Sequence, residues 1–537
     1  MKMIRFTSSM LMLLFLCISC NEKGSSLPNV LIIMADDMGY SDLSIMGSEI
    51  PTPNIDRIAN EGALFTNFYN AARCCPTRAS LLTGLYPHAA GMGDMTEGRI
   101  LKDGTFVESY QGYLAENAAT IAAVLRSNGY QTFISGKWHV GDSLEHWPLQ
   151  HGFDRSFALI SGASNYFNIQ PYINEEQEII LTLDNQRIEP WEGYYITDAI
   201  GTYAEEFLTG RNKRRPFFLY LPFTAPHWPV QAPEEELARH RGKYMKGWEK
   251  LRGERYKKMK INGILTDRHA LSPAYFERPF LTPDWDTLND EMKSDFDMRM
   301  AAYAATITRM DHVVGNVLNS LEAEDELDNT LVVLLSDNGA THAYIYLVTQ
   351  WIADRSGSIG SETSFDAQGA MWANVSNTPY RLFKARTAEG GIITPMLLRY
   401  PPLAKPGTII REPGHVIDIM PTILDLTGTE YSRDKRGDRE AVLPGMSLLP
   451  LLDSVDGGPD RPLFWEHQGR EAVRFGKWKL VHQQGEAWHL YNLHLDPTEL
   501  NDVSGEYPET VDQLEGLFMS WSEEVGVMPW DQMKLAH

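Results

Sequence analysis

The chain has 537 residues, of which 43% are hydrophobic and 22% charged, and a formal net charge of −23. Its length passes the ~250–300 residues at which one core stops growing, so a large domain with a smaller companion is expected, and its ordinary composition excludes a disordered or low-complexity chain. The acidic balance speaks against nucleic acid as a partner and requires any anion site to be locally basic.

The N-terminus reads as a targeting segment. Lys2 and Arg5 precede an apolar run at residues 10–16, and small Ser19 precedes Cys20, which is the order of a signal peptide over residues 1–20. Leu16-Cys17-Ile18-Ser19-Cys20 also resembles a relaxed bacterial lipobox, which would make Cys20 the acylated first residue of a lipoprotein. Cleavage without acylation is the alternative. The expectation is an exported protein, periplasmic or anchored at a bacterial outer membrane through Cys20, with no later segment long and apolar enough to cross a bilayer. Beyond the leader the cysteines are Cys74 and Cys75. Neighbouring cysteines strain against a disulfide, so this pair needs another explanation.

Past the leader, strands and helices alternate, which predicts an α/β domain. Asn29–Ala35 is an unbroken apolar run, a buried strand that stops at Asp36-Asp37-Met38-Gly39. A short helix at 54–62 and a strand at 63–67 follow. Pro76 suits a first helical position, so residues 77–82 read as a helix stopped by Gly84. Residues 120–127 read as a helix, 131–135 and 216–222 as strands, and 297–322 as a long helix. The helix leads into a second apolar strand, 329–335, which stops at Ser336-Asp337-Asn338-Gly339. Residues 234–283 are charged and poor in strand formers, and read as a surface excursion. Residues 341–371 read as a rim or lid over whatever site Asp337 and Asn338 form. From about Arg461, short strands at 472–475, 479–481 and 488–491 and a helix at 508–521 predict a small antiparallel sheet. The expected domains are 28–455 and a smaller α+β unit at 456–537.

Polar motifs therefore sit where apolar strands end, and in open α/β sheets ligands bind at that edge. Cys74 and Arg78 flank a helix start, whose free N–H groups and partial positive charge favour anions. A cysteine there is also compatible with plain burial. Asp36, Asp37, Asp337 and Asn338 are oxygen donors suited to calcium or magnesium rather than zinc, although such residues also cap turns. Asp36 and Asp37 would point to opposite faces of a regular strand, so the backbone must bend there, with Gly39 helping. In Gly136-Lys137-Trp138-His139 an extended backbone would put Lys137 and His139 on one side, facing a shared anion.

Cys74-x-Pro76-x-Arg78, continued by Leu82-Thr83-Gly84, resembles the signature of the type I, formylglycine-dependent sulfatases, the arylsulfatase branch of the alkaline phosphatase-like superfamily. Cys75 lacks Pro and Arg at the required offsets, so the resemblance makes Cys74 the residue converted to formylglycine (3-oxoalanine). The likeness continues through Asp36-Asp37, Gly136-Lys137-Trp138-His139, His227 in Thr224-Ala225-Pro226-His227, Asp337-Asn338-Gly339, and Lys384 before Glu389-Gly390-Gly391, and runs on through His415 to Gly428. Ala388 departs from the pattern, because many arylsulfatases carry histidine there.

The resemblance implies a large mixed β-sheet flanked by helices, with the smaller antiparallel unit appended. It implies one Ca²⁺ held by Asp36, Asp37, Asp337, Asn338 and an oxygen of modified Cys74. It also implies a catalytic set of Cys74, Arg78, Lys137, His139, His227 and Lys384. The hydrated aldehyde attacks sulfur, with Asp337 as the chosen activating carboxylate. Arg78, Lys137 and Lys384 neutralise sulfuryl oxygens, His227 or Lys384 protonates the departing alcohol, and His139 helps the aldehyde to reform. The implied partners are a sulfated small molecule or glycan and, during biogenesis, a sulfatase-maturing enzyme. Two rival readings share these residues: a phosphatase or phosphonate monoester hydrolase of the same fold, and a silent surface lipoprotein that binds sulfated glycans. Glu466 and His467 are open between a structural role and a contact at the pocket mouth.

Overall fold

The structure, a computed structural model, describes residues 27–170, 178–274, 284–343, 357–431, 443–453, 458 and 460–536. The leader and lipobox, residues 275–283 of the predicted excursion, and residues 344–356 of the predicted rim lie outside these.

The strands in chain order are β1 (Asn29–Ala35), β2 (Ala63–Tyr69), β3 (Arg99–Leu101), β4 (Gln131–Lys137), β5 (Arg155–Leu159), β6 (Leu181–Leu183), β7 (Gln186–Arg187), β8 (Phe217–Pro222) and β9 (Thr330–Ser336). They continue with β10 (Ile393–Arg399), β11 (Thr408–Ile410), β12 (Gly414–His415), β13 (Leu463–His467), β14 (Arg470–Phe475), β15 (Trp478–Gln483), β16 (His489–Asn492) and β17 (Met533–Leu535). One mixed sheet runs in the order β11-β2-β10-β9-β1-β8-β4-β5-β6-β7, with β12 beside β2.

Strand β1 lies parallel to β8 and β9, and β4 is parallel to β8. Strand β10 is antiparallel to both β9 and β2. The strands β4, β8, β1, β9 and β2 therefore deliver their C-terminal ends to one edge, and β10 begins there.

Apolar residues on alternate positions build a core on each face of the sheet. In β1, Leu31, Ile33 and Ala35 join one cluster and Val30, Ile32 and Met34 the other. Helix Asp290–Ala323 covers the first face with Met310, Val314, Val317 and Leu321, and helices Cys74–Thr83 and Ile121–Ser127 cover the second. This two-sided burial explains why the central strands read as continuous apolar runs. A buried aliphatic side chain of this kind contributes roughly 1.5–3 kcal/mol.

Several boundaries differ from expectation for local reasons. The helix expected at 77–82 spans Cys74–Thr83 and places Pro76 in its first turn rather than at its first residue. Proline is tolerated there because the first four N–H groups have no intrahelical partner. The long helix begins at Asp290, where the Asn289 side chain accepts from the Met292 amide at 2.8 Å.

The excursion is not superficial. Helix Trp248–Ile261 buries Trp248, Leu251 and Met259, and Trp248 packs edge-on against Trp285 and Trp372. The C-terminal sheet β13-β14-β15-β16 is antiparallel as expected, and helix Pro508–Val525 packs on it. Phe464, Val473, Leu480 and Phe518 of this unit belong to the second core cluster, and β17 pairs back with β3.

Candidate active site

Each strand end contributes one part of the site. After β1 the chain turns at Asp37, whose φ is 67°. The bend thus lies at Asp37 itself, not at Gly39. Gly39 serves close packing, because a Cβ there would stand 2.5 Å from the Ser376 carbonyl oxygen. The left-handed conformation is unusual for a non-glycine residue and persists where the surroundings fix it. Here the Asp37 amide donates to Asp337 Oδ1 at 3.2 Å and the Met38 amide to Ser336 Oγ at 3.1 Å. After β9, Asn338 Nδ2 donates to Asp37 Oδ1 at 2.6 Å.

Strand β4 ends on Lys137, whose Nζ lies 2.6 Å from Asp36 Oδ2. His139 has φ 56°, so the expected extended Lys137–His139 pair does not form. The imidazole nonetheless reaches Cys74: ligand atoms of Cys74, Cys75 and His139 lie within 4.8 Å of one another. It fits because residue 162 is glycine, where a Cβ would stand 2.3 Å from His139 Cε1 and Nε2.

Strand β2 leads into helix Cys74–Thr83. From its second turn the buried Arg78 reaches Asp337 Oδ2 at 2.8 Å, Asp36 Oδ2 at 3.8 Å and the Lys137 carbonyl at 3.1 Å. Beyond β8, His227 donates through Nδ1 to the Trp228 carbonyl at 2.7 Å and points Nε2 at Asp37 Oδ2, 3.6 Å away. The loop before β10 carries Lys384, whose Nζ is 2.6 Å from Asp37 Oδ1. This loop is tied to the segment before Cys74, since the Ala385 amide donates to the Ala72 carbonyl at 2.8 Å. All ten residues singled out from the sequence as catalytic or ligating converge on this one edge.

Three carboxylates (Asp36, Asp37, Asp337) face three permanent cations (Arg78, Lys137, Lys384), so the edge is nearly balanced. The balance is not uniform. Burial pushes the Asp36 carboxyl up despite Lys137 and Arg78, and burial followed by Asp36 pushes Asp337 up to about 7. Against its own burial, Asp37 is held below the usual carboxylate range by Lys384 and His227. Burial lowers His227 to about 3 and also lowers His139. A hydrogen bond with Cys75, aided by Lys137 and Lys384, holds the Cys74 thiol well below its ordinary value against burial.

Among the described residues, Asp36 Oδ1, Asp37 Oδ2 and Asn338 Oδ1 are buried acceptors without a hydrogen-bond partner. Buried polar atoms are rarely left so. Three orphaned oxygens from two carboxylates and an amide, with carboxyls pushed upward beside them, fit a hard divalent cation. His227 comes within 4.8 Å of the two aspartates as well.

Sequence reasoning missed Gly162 and the residues behind Asp37, because neither carries a local signal. Glu466 resolves as structural: it accepts from the Gly469 amide at 2.8 Å and lies 2.8 Å from His88 Nε2 and 3.1 Å from the Tyr110 hydroxyl. His467 is fully buried. Ala388 precedes the short helix Glu389–Ile392 as its cap residue and is buried.

A mixed sheet with this polar edge defines an alkaline phosphatase-like hydrolase. Comparison with known proteins narrows the class. The Sulfatase family profile matches residues 28–429, and a profile for N-sulphoglucosamine sulphohydrolase, C-terminal, matches residues 380–517. The chain belongs to the sulfatase family and is a sulfuric ester hydrolase.

It is 35% identical to an uncharacterized sulfatase of Schizosaccharomyces pombe, over 94% of this chain and 95% of that one. It is 33% identical to an arylsulfatase of Klebsiella aerogenes, over 79% of this chain and 92% of the relative. The crystal structure of Ps i-CgsB in complex with k-i-k-neocarrahexaose superposes with a TM-score of 0.67 at 27% identity, covering 94% of each chain.

Proposed function

We propose that this sulfatase removes sulfate from a sulfated carbohydrate or aryl sulfate, with Cys74 converted to formylglycine as the nucleophile and one Ca²⁺ held by Asp36, Asp37, Asp337 and Asn338. The observation that carries this reading is the set of orphaned oxygens on Asp36, Asp37 and Asn338, set beside Cys74 at a helix start. The oligosaccharide held by Ps i-CgsB favours a glycan.

Bound calcium would act as a Lewis acid and make the pocket net positive, and formylglycine would supply a hydrated aldehyde at position 74. The chain's own residues do the rest. Arg78, Lys137 and Lys384 present cations that neutralise sulfuryl oxygens, which reconciles an acidic protein with an anionic substrate. Asp337, beside Arg78, accepts a proton from the nucleophile. Among the described residues His139 Nδ1 has no hydrogen-bond partner and can hold a proton next to residue 74. Lys384 is kept protonated by Asp37 against burial, and so has a proton to give the departing alcohol. His227 is neutral without substrate, and an arriving anion raises its proton affinity.

The same reading takes residues 1–20 as an export signal, Cys20 as a lipid anchor at a bacterial outer membrane or periplasmic face, and a maturing enzyme as a partner in biogenesis. Peptide mass spectrometry across residues 71–78, on protein from a host with a sulfatase-maturing enzyme, should find formylglycine or its hydrate at position 74. An unmodified Cys74 in such protein sinks the mechanism.

A further inference from the structure

Helix Trp248–Ile261 belongs to the segment read as an excursion, yet its Arg255 is fully buried. The guanidinium forks. Nε and Nη2 donate to the Glu49 carboxylate at 3.0 and 2.9 Å. Nη1 donates to Asp42 Oδ1 at 2.7 Å and to the Ser41 carbonyl at 3.2 Å. Asp42 is fully buried too, and its Oδ2 accepts from the Gly39 amide at 2.9 Å and from the Tyr303 hydroxyl at 2.7 Å. That hydroxyl lies 3.2 Å from the Asp37 carbonyl oxygen. An unbroken chain of hydrogen bonds thus runs from Arg255 to the backbone of a ligating aspartate.

We propose that Arg255 is a positioning residue for the cation site, holding Asp37 through Asp42 and Tyr303 in the left-handed turn that brings its carboxylate beside those of Asp36 and His227's ring. This inference rests on the cation reading above. Arg255 reaches the site through Asp42, and from there through the Tyr303 hydroxyl and the Gly39 amide, so it acts through the ligand and not on the substrate.

Two physical effects make the link consequential. The φ of 67° at Asp37 is kept only while its neighbours over-determine it. The contacts that Asp42 organises, at Gly39 and Tyr303, are among those that do so. Arg255 also neutralises Asp42. Without it a second uncompensated buried carboxylate would lie close behind Asp36 and Asp37. An unpaired buried carboxylate is costly, so the acceptor that holds the Gly39 amide and the Tyr303 hydroxyl would be displaced. Arginine suits the task because its planar fork spans two carboxylates at once, which the point charge of lysine does not.

The test uses the full chain, stripped of cation by chelation and titrated with Ca²⁺ by calorimetry, comparing wild type with Arg255→Lys. Outer contacts of a metal site typically change affinity about 10–100-fold, so the lysine variant should bind Ca²⁺ weaker by that factor. Its lost activity should return as Ca²⁺ is raised, with KM for the sulfate ester unchanged, a rescue that general loosening of the fold would not give. A folded Arg255→Lys protein with wild-type Ca²⁺ affinity overturns the proposal. If that variant does not fold, Tyr303→Phe deletes the last link without touching charge, and unchanged affinity there overturns it equally. The wild-type titration reports separately on the cation reading: no Ca²⁺ binding by wild type defeats both, whereas binding with an unchanged variant defeats only the role of Arg255.

Discussion

Lys479 lies on β15 of the C-terminal sheet, is fully buried, and bridges Glu389 Oε1 at 2.6 Å and Glu499 Oε1 at 2.7 Å. Glu389 opens the short helix that follows the Lys384 loop, so this bridge ties the C-terminal unit to the active-site edge. Replacing Lys479 with Met leaves Glu389 with the Tyr69 hydroxyl at 2.8 Å and Glu499 with Arg381 at 3.4 Å and the Glu389 amide at 2.9 Å. A buried pair broken from one side costs about 3–5 kcal/mol, and two carboxylates sharing one lysine place Lys479→Met at the upper end.

Glu499→Gln removes a charge but keeps an acceptor, so it should cost less, about 1–3 kcal/mol. The double variant should be more stable than the sum of the singles by about 0.5–3 kcal/mol. Urea unfolding of all four proteins, followed by tryptophan fluorescence and circular dichroism, measures the cycle.

The pH dependence carries a sign. Against burial, Lys479 and Arg381 hold Glu499 below the usual carboxylate range. Its contribution is present above the unfolded value of about 4.3 and fades as pH falls through the lower folded value. The deficit of Lys479→Met should therefore be largest near neutrality and shrink in acid. Additive singles, or a deficit independent of pH, would refute the reasoning.

Gly162→Ala should displace His139, since the new Cβ would lie 2.3 Å from the ring. The expected result is at least a ~10-fold fall in kcat/KM on an aryl sulfate with an unchanged melting temperature, and unaltered kinetics would count against a role for His139. Chelation should lower both the melting temperature and activity, with Ca²⁺ restoring them better than Zn²⁺, as oxygen donors favour the harder ion. Differential scanning fluorimetry reads the first effect and initial rates the second. Cys74→Ala should abolish turnover, whereas Cys75→Ala should leave residue 74 convertible, which mass spectrometry of both variants decides.

Much of the site was legible because chemistry sits where apolar runs stop. The ends of β1, β4 and β9 could be found as Ala35, Lys137 and Ser336 from hydrophobicity alone, within two residues, and the motif around Cys74 supplied the rest. The conformations at Asp37 and His139 were not legible. Both depend on groups far away in sequence, such as Asp337, 300 residues from Asp37. The excursion was misjudged for the same reason. Trp248–Ile261 has a charged composition, but Arg255 spends its charge on Asp42, 213 residues earlier. Composition shows that a charge is present, not whether a distant carboxylate has drawn it inside.

Cys74 is only 2% exposed, with β2, β4, β9 and the Lys384 loop arranged around it. A small anion needs only a narrow way in, but another protein's catalytic centre cannot follow it. An enzyme that rebuilt this side chain, as proposed, would therefore have to meet it as an accessible segment, before β9 and β10 close the sheet. On the proposed reading, burial acts as a clock: the order of synthesis, modification and folding would decide whether a chain becomes a catalyst, and a chain that folded first would be locked out.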